Sequence, residues 1–465
     1  MDGHECSEIL FSQLERTNRL DSEFYKKKSL SIVKLLEDIS AKPLTNLIDV
    51  SDGNHMSISD KFIDEGIPYY RGQDIHNFFI EDAIPIYIDE ETFNISYMQR
   101  SHLKKGDVLL SIVGTIGEVS LVSKNDKATC NCKLAILRPH DIKKSALIAT
   151  YLRTKYGFDQ INKFKRGAVQ MGYLLEDMNQ ILIPEFSEDL EQIITKAIES
   201  VKLLTDQSNK LYADAENCLL SEIGIDISTI PNDGVAIKSF SESFGNTGRL
   251  DAEYYQKKNY NVINMLNAKG TVKTLCNIYN KPFTPTGNEY YQYIELANIG
   301  KSGEIDGVKS ILGEELPSRA RRLVKKGYVI VSSVEGSLES CAIISNSYDN
   351  ALCSTGFYVI DSDNYNSETL LVLLRSQPIQ MLLKRGCSGT ILTNITKDEF
   401  EDIPLPNVSF HTQEIVKEKV SNAYFLREKS KELLKCAQTA VEMAIEQNET
   451  IAIAWLEVKI TELTK

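Results

Sequence analysis

Three stretches of this 465-residue chain gather side chains suited to binding anions and reading polar edges. "KFKRGAVQ" at 163–170 sets Lys163, Lys165, Arg166 and Gln170 around a glycine. "LKRGCSGTILTN" at 383–394 offers Lys384, Arg385, Ser388, Thr390 and Asn394. "SRARRLVKKG" at 318–327 packs Arg319, Arg321, Arg322, Lys325 and Lys326 into ten residues, and Lys104 and Lys105 precede a similar glycine. Lys and Arg neutralise phosphates, whereas Gln, Asn, Ser, Thr and Arg hydrogen-bond base edges. For any single loop the alternative is a solvated turn. Recurrence of a basic pair and Arg-Gly in both halves favours the binding reading.

Signatures of catalysis are missing. The nine cysteines show no Cys-x-x-Cys spacing and the six histidines no His-x-x-x-His pair, so neither a metal site nor a disulfide framework is expected. The glycines of "SIVGTIGEV" at 111–119 fit no phosphate-binding motif and read as turn residues. "EVK" at 457–459 lies in a helical tail and makes a poor nuclease centre. No catalytic residue and no cofactor is therefore assigned to this chain. A net charge of −13 argues against nucleic acid unless the local basic stretches outweigh the sum. Hydrophobic content of 42% and charged content of 25% are globular values. No apolar run approaches a membrane span, and the N-terminus reads as no secretory signal, which predicts a cytoplasmic protein without a membrane partner.

The elements that must position these loops come in duplicate. "RLDSEFYKKK" at 19–28 returns as "RLDAEYYQKK" at 249–258. "HLKKGDVLLSIVGTIGEVSLV" at 102–122 returns as "RLVKKGYVIVSSVEGSLESCAII" at 322–344, each reading as a hairpin. "KFKRG" with a later Ile-Pro at 183–184 matches "LLKRG" with Ile-Pro at 403–404. After each Ile-Pro comes a heptad-like seam: Leu190, Ile194, Ala197, Val201, Leu204, Ser208, Leu211 and Ala215, then Val416, Val420, Ala423, Leu426, Ser430, Leu434, Ala437 and Val441. The first of these helices carries eight acidic and three basic residues over 186–225 and should sit away from phosphates.

The fold class predicted is α+β: two similar mixed α/β domains at 1–185 and 232–408. Each is followed by a long helix, within 186–231 and 409–465, and the two helices pair as an antiparallel coiled coil. Two like but unequal domains on a helical spacer suit two unequal half-sites on duplex DNA, whose equivalent major-groove faces recur about every 34–36 Å. Two rivals are an enzyme acting alone and an acidic scaffold that binds no nucleic acid. The scaffold predicts no salt-sensitive DNA affinity.

"SDGNHMS" at 51–57, "GIPYYRGQDI" at 66–75, "NCKLAILRP" at 131–139, "CSTGFYVI" at 353–360 and "SGTILTNITKDEFEDIPLP" at 388–406 join the duplicated motifs in order. With them, nearly the whole chain resembles the specificity subunit of type I restriction–modification systems. The resemblance implies two target-recognition domains and no active site of its own. It also implies helices that dock methyltransferase subunits, two of them, and restriction subunits. S-adenosylmethionine, ATP and Mg would be used by those partners. Candidate DNA contacts carried over are Asn54, His55, Arg71, Gln73 and Asp74, and the docking helices bring Leu190, Ile194, Val201, Leu204, Leu211, Val416, Val420, Leu434 and Val441. The second half has no Asp-Gly-x-His and places Glu295 and Asn298 where Arg71 and Asp74 would fall. A related class, whose partner fuses methylation and cleavage, fits the same residues.

Overall fold

The computed structural model describes residues 6–12, 14, 19–167, 171–226, 235–300, 302–389 and 393–465. The chain divides into two compact units, 1–205 with 428–465, and 206–427. These divisions fall inside the long helices.

In the first unit, α1 (Lys27–Asp38) precedes a four-stranded sheet ordered Ile48–Asp52, Leu134–Pro139, Val108–Ser111, Val119–Leu121. The two central strands are buried at almost every position, as expected for strands covered on both faces. Helices α2 (Ser145–Arg153) and α3 (Lys155–Lys163) follow, with Thr154 between them capping Gly157 N. A second sheet is ordered Phe62–Ile63, Ile86–Ile88, Ile67–Tyr70, Thr129–Cys130. Tyr70, Leu103, Leu109, Cys130, Leu134 and Ile136 form a core that draws on both sheets.

The second unit repeats this plan. After α4 (Lys257–Met265), its first sheet is ordered Asn277–Ile278, Phe357–Asp361, Val329–Ser332, Cys341–Ile343. Helices α5 (Ser367–Arg375) and α6 (Gln377–Gly386) stand where α2 and α3 stand in the first unit. Ile294, Val324, Ile330, Cys353, Phe357 and Val359 occupy the matching core positions. Burial pushes the Cys353 thiol up to about 12 and that of Cys130 further, so both behave as small apolar side chains. The second sheets differ at both edges, and among the described residues the first unit's outer strand Phe62–Ile63 has no counterpart beyond Lys309–Leu312 of the second unit. Here Ala320–Leu323 pairs with Leu352–Ser354, with a bulge between Ala320 and Arg322, whereas the first unit has only the His102–Thr129 bridge at that place among its described residues.

Two long helices, α7 (Glu188–Ile223) and α8 (Phe410–Glu446), precede a C-terminal helix α9 (Glu449–Thr464). In the first unit Ser430 Oγ donates to Val201 O at 3.1 Å, and Tyr156 of α3 bonds Glu446 at 2.8 Å. In the second unit Ser208 Oγ donates to Ala423 O at 2.8 Å, and Ser409 N donates to Glu222 at 2.8 Å. One correction follows from burial. Leu190, Ile194, Val201, Leu204, Val416, Val420 and Val441 are at most 6% exposed and Leu211 and Leu434 are half-buried. An apolar seam consumed by this chain's own core is not a free surface for a partner. Leu203 and Phe410, off the seam, are exposed.

Candidate nucleic-acid interface

The duplicated Arg-Leu-Asp phrase builds a latch. Helix α3 ends at Lys163, and its terminal carbonyls need partners. Arg19 donates to Phe164 O at 3.3 Å and Lys165 O at 3.0 Å, while Asp21 holds the same guanidinium at 2.8 Å. Arg249 does the same at the end of α6, reaching Gly386 O at 3.3 Å and Cys387 O at 2.8 Å with Asp251 behind it. Tyr25 and Tyr255 each return a hydroxyl to the arginine's own carbonyl at 3.1 Å. The ion pairing holds both aspartates below the usual carboxylate range.

This latch corrects the register of the basic loops. Phe164 and Lys165 correspond to Gly386 and Cys387, an offset three residues away from that of the Lys-Arg-Gly match. Arg166 therefore corresponds to Ser388, and Gly167 to Gly389, both glycines in the left-handed region at φ 114° and 138°. The cross-bridges agree, since Arg166 pairs with Gly172 and Ser388 with Asn394. Lys163 corresponds to Arg385, and both serve the latch. The Lys163 ammonium lies 4.4 Å from the Phe24 ring, and the Arg385 guanidinium lies 3.9 Å from the Tyr254 ring and donates to Tyr254 O at 3.1 Å. Lys384 and Arg385 sit in the last turn of α6, not in a loop. Gln170 and Thr390 lie outside the described residues.

Beside each latched loop stand a hairpin turn and a tight corner. In the first unit Gly114 N donates to Met171 O at 3.4 Å, Tyr173 N to Ile112 O at 2.9 Å, and Ile112 N to Lys133 O at 2.9 Å. Thr115 Oγ1 donates to Gly72 O at 3.3 Å, closing the group on the corner 71–74. In the second unit Glu335 N donates to Thr393 O at 3.0 Å, Ile395 N to Ser333 O at 2.9 Å, and Ser333 N to Gly356 O at 2.8 Å. Leu296 of the corner 295–298 lies against Gly356. Each unit thus presents one continuous face of loop, turn and corner.

The sequence-predicted residues divide sharply on these faces. Arg71 caps its own corner, with Nε and Nη2 on the Asp74 carboxylate at 2.9 and 2.8 Å and its backbone N on the same group at 2.8 Å. Asp74 is buried, so both are committed to the fold. Asn54 is 2% exposed and spends its amide on Met56, at 2.9 Å to N and 2.8 Å to O. Gly53 is required there, because a Cβ would stand 2.3 Å from Asn131 O. Asp52 binds His55 Nε2 at 2.6 Å and also Arg100, which the sequence reading missed. Gln73 is exposed at the corner's tip. Arg166 Nη2 donates to both carboxylate oxygens of Asp177 at 2.7 Å, and burial raises the Asp177 carboxyl above its usual range. Burial likewise lowers the Lys165 ammonium, whose carbonyl the latch already holds.

In the second unit, Ser388 and Asn394 are exposed at the latched loop. Arg319 is exposed, with Nη2 at 3.7 Å from Glu295. Arg321 donates to Ser318 O at 3.0 Å, and Arg322 is half-buried against Asn280, where desolvation lowers its basicity. Lys325 and Lys326, like Lys104 and Lys105, are exposed but precede the hairpin strand, at the end away from its turn. Those four cations do not join the faces. Lys133, exposed between turn and corner, does join the first face and was not anticipated. Its signal was present: a lysine directly before the buried "LAIL" of the strand at 134–137 must stand at a strand end. Among the described residues no group of three or more His, Cys, Asp or Glu is placed to hold a metal, and no helix is long and apolar enough to cross a membrane.

No family model and no curated protein matches the chain. Among solved structures it is similar to a type I restriction–modification system S subunit from M. genitalium, at 12% identity and a TM-score of 0.33 over 90% of this chain and 95% of that one. It is also similar to an HsdS subunit from Thermoanaerobacter tengcongensis, at 13% identity and a TM-score of 0.25, over 90% and 95%. A third likeness, at 14% identity and a TM-score of 0.24 over 89% and 97%, is to a structure concerned with assembly and conformational transition of the type I R-M system.

Proposed function

We propose that this chain is the non-catalytic, sequence-reading subunit of a restriction–modification complex of type I. Each unit reads one half of a bipartite, asymmetric DNA site. The long helices pair as an antiparallel coiled coil, and their outward surfaces dock two methyltransferase subunits and, where present, restriction subunits. S-adenosylmethionine serves the former, and ATP with Mg the latter. The observation that carries this reading is the duplicated face: the same latch, turn and corner in both units, bearing different exposed side chains. Shared scaffolding with divergent tips is what two different half-sites demand. The cytoplasm is where such a complex would meet DNA.

The test is single-molecule methylome sequencing of a host carrying this chain with a candidate adenine methyltransferase partner, against the partner alone. A new methylated adenine in a bipartite, asymmetric motif that depends on this chain supports the proposal. A scaffold that binds no DNA gives no new motif, and the assembled complex then shows no salt-sensitive DNA affinity.

A further inference from the structure

The corners 71–74 and 295–298 share one backbone. Asp74 N donates to Arg71 O at 2.9 Å, and Asn298 N to Glu295 O at 3.0 Å. Each fourth residue also accepts the first residue's backbone N–H, at 2.8 Å in the first corner and 2.7 Å in the second. The side chains then part ways. Asp74 takes the Arg71 guanidinium as well, whereas the Asn298 amide turns to Asp306 O at 2.9 Å. The Glu295 carboxylate accepts from the Asn298 backbone N–H within its corner but is tied to no cation of that corner. Its side chain is 38% exposed and that of Arg319, at 3.7 Å, is 59% exposed.

A carboxylate on a face that approaches DNA is repelled by phosphates and by the acceptor edges of guanine and thymine. It is favourable against a base amino group: Glu accepts from cytosine N4, just as Arg donates to O6 and N7 of guanine. An acceptor beside a fork of donors matches the edge of one C·G pair, which offers N4–H beside O6 and N7. Resting on the DNA-reading function proposed above, we infer that Glu295 and Arg319 together read a single C·G base pair in the half-site of the second unit. Glu295 accepts from cytosine N4, and Arg319 donates to the guanine across from it. The first corner has no counterpart, because Arg71 is held by Asp74.

The experiment compares methylomes from hosts carrying the partner methyltransferase with the wild-type chain, Glu295→Gln or Arg319→Gln. Glu295→Gln keeps a side-chain oxygen to accept the corner's backbone N–H, and if one variant does not assemble the other carries the test. The wild-type motif should contain a C·G pair that both variants relax. Glu295→Gln should admit adenine for cytosine, with discrimination at that position falling about five- to a hundred-fold. The other half of the motif should stay unchanged. A variant that methylates the wild-type motif with unaltered stringency overturns the inference, as does relaxation in the wrong half. A wild-type chain that yields no motif instead overturns the DNA-reading function on which the inference stands.

Discussion

At three equivalent places the two faces carry different charges on the same scaffold. The first has Arg71, Lys133 and Arg166 where the second has Glu295, Gly356 and Ser388. Two of the first face's three cations are already bound by Asp74 and Asp177. The second has none of those cations and has an acid instead, with Arg319 alongside it just before an edge strand that is a longer ladder there. Duplication preserved what holds backbone and released what points outward. The shared part should therefore respond alike to mutation in both units, and the divergent part differently.

The largest effect should come from the latch. Arg19→Ala and Arg249→Ala each remove a guanidinium that serves two helix-end carbonyls and a carboxylate. Bonds to a charged group of this kind are worth enough that each substitution should destabilise its own unit by about 2–3 kcal/mol. Hydrogen exchange of α3 and of α6 reads the two units separately. Equal losses support the equivalence, and a silent Arg249→Ala would break it.

The corners come next. Asp74→Ala loses the backbone cap and both guanidinium bonds, whereas Asn298→Ala loses the cap and one carbonyl bond. A drop of about 2 kcal/mol against about 1 kcal/mol is expected, as midpoint shifts in denaturant. Equal drops would show that Arg71 gains nothing from Asp74.

The latch also explains what the sequence could and could not reveal. Duplication, the hairpins, the long helices and the latch residues were visible because packing and capping tie residue type to position. Arg19 and Arg249 keep their type because only a guanidinium reaches two carbonyls while resting on an aromatic ring, Phe24 or Tyr254. The register of the tip loops was not visible. A shared Lys-Arg-Gly aligned residues that the fold places three apart, and only the position of each helix end separates Lys163 and Arg385 from Arg166 and Ser388. Neither was the fate of polar side chains legible. Arg71, Asp74 and Asn54 have the composition of a reading surface, yet local hydrogen bonds consume them, as Asn and Asp side chains do in turns. The apolar seams showed that the helices pack within the chain, but not that the same seam residues would be too buried to meet a second protein.

A smaller effect tests the exposed charges. Lys133→Ala should weaken DNA binding by the assembled complex and reduce the slope of log affinity against log salt by about 1. Gly356→Lys is the reverse experiment. A Cβ there meets no atom closer than 3.6 Å, so the substitution fits. It should raise the slope by a similar amount without shifting the sequence read. If Lys133→Ala instead alters the motif, that lysine reads a base rather than a phosphate, and the contrast between the faces is one of specificity as well as charge.

The subtlest test of the equivalence is in acid. Asp21 and Asp251 titrate below their unfolded values because Arg19 and Arg249 hold them ionised. A depressed carboxyl adds stability above its unfolded pKa of about 3.9 and loses it as pH falls through the folded value. Both latches should thus weaken below about pH 4. Each latch has a second, raised acid within reach: Glu399 lies 3.7 Å from Arg249 and burial raises its carboxyl, as burial raises that of Asp177, whose charge interacts with Arg19. A raised carboxyl acts in the opposite sense, favouring the folded state as it protonates, and offsets part of the loss. Between pH 6 and 3 the protection of α3 and that of α6 should therefore fall along similar profiles. Asp21→Asn should flatten the first profile while lowering it at pH 6, and Glu399→Gln should steepen the second away from the first. Wild-type profiles that diverge would mean that Asp177 and Glu399 do not couple equally to the two latches, and the copies would then differ at more than their tips.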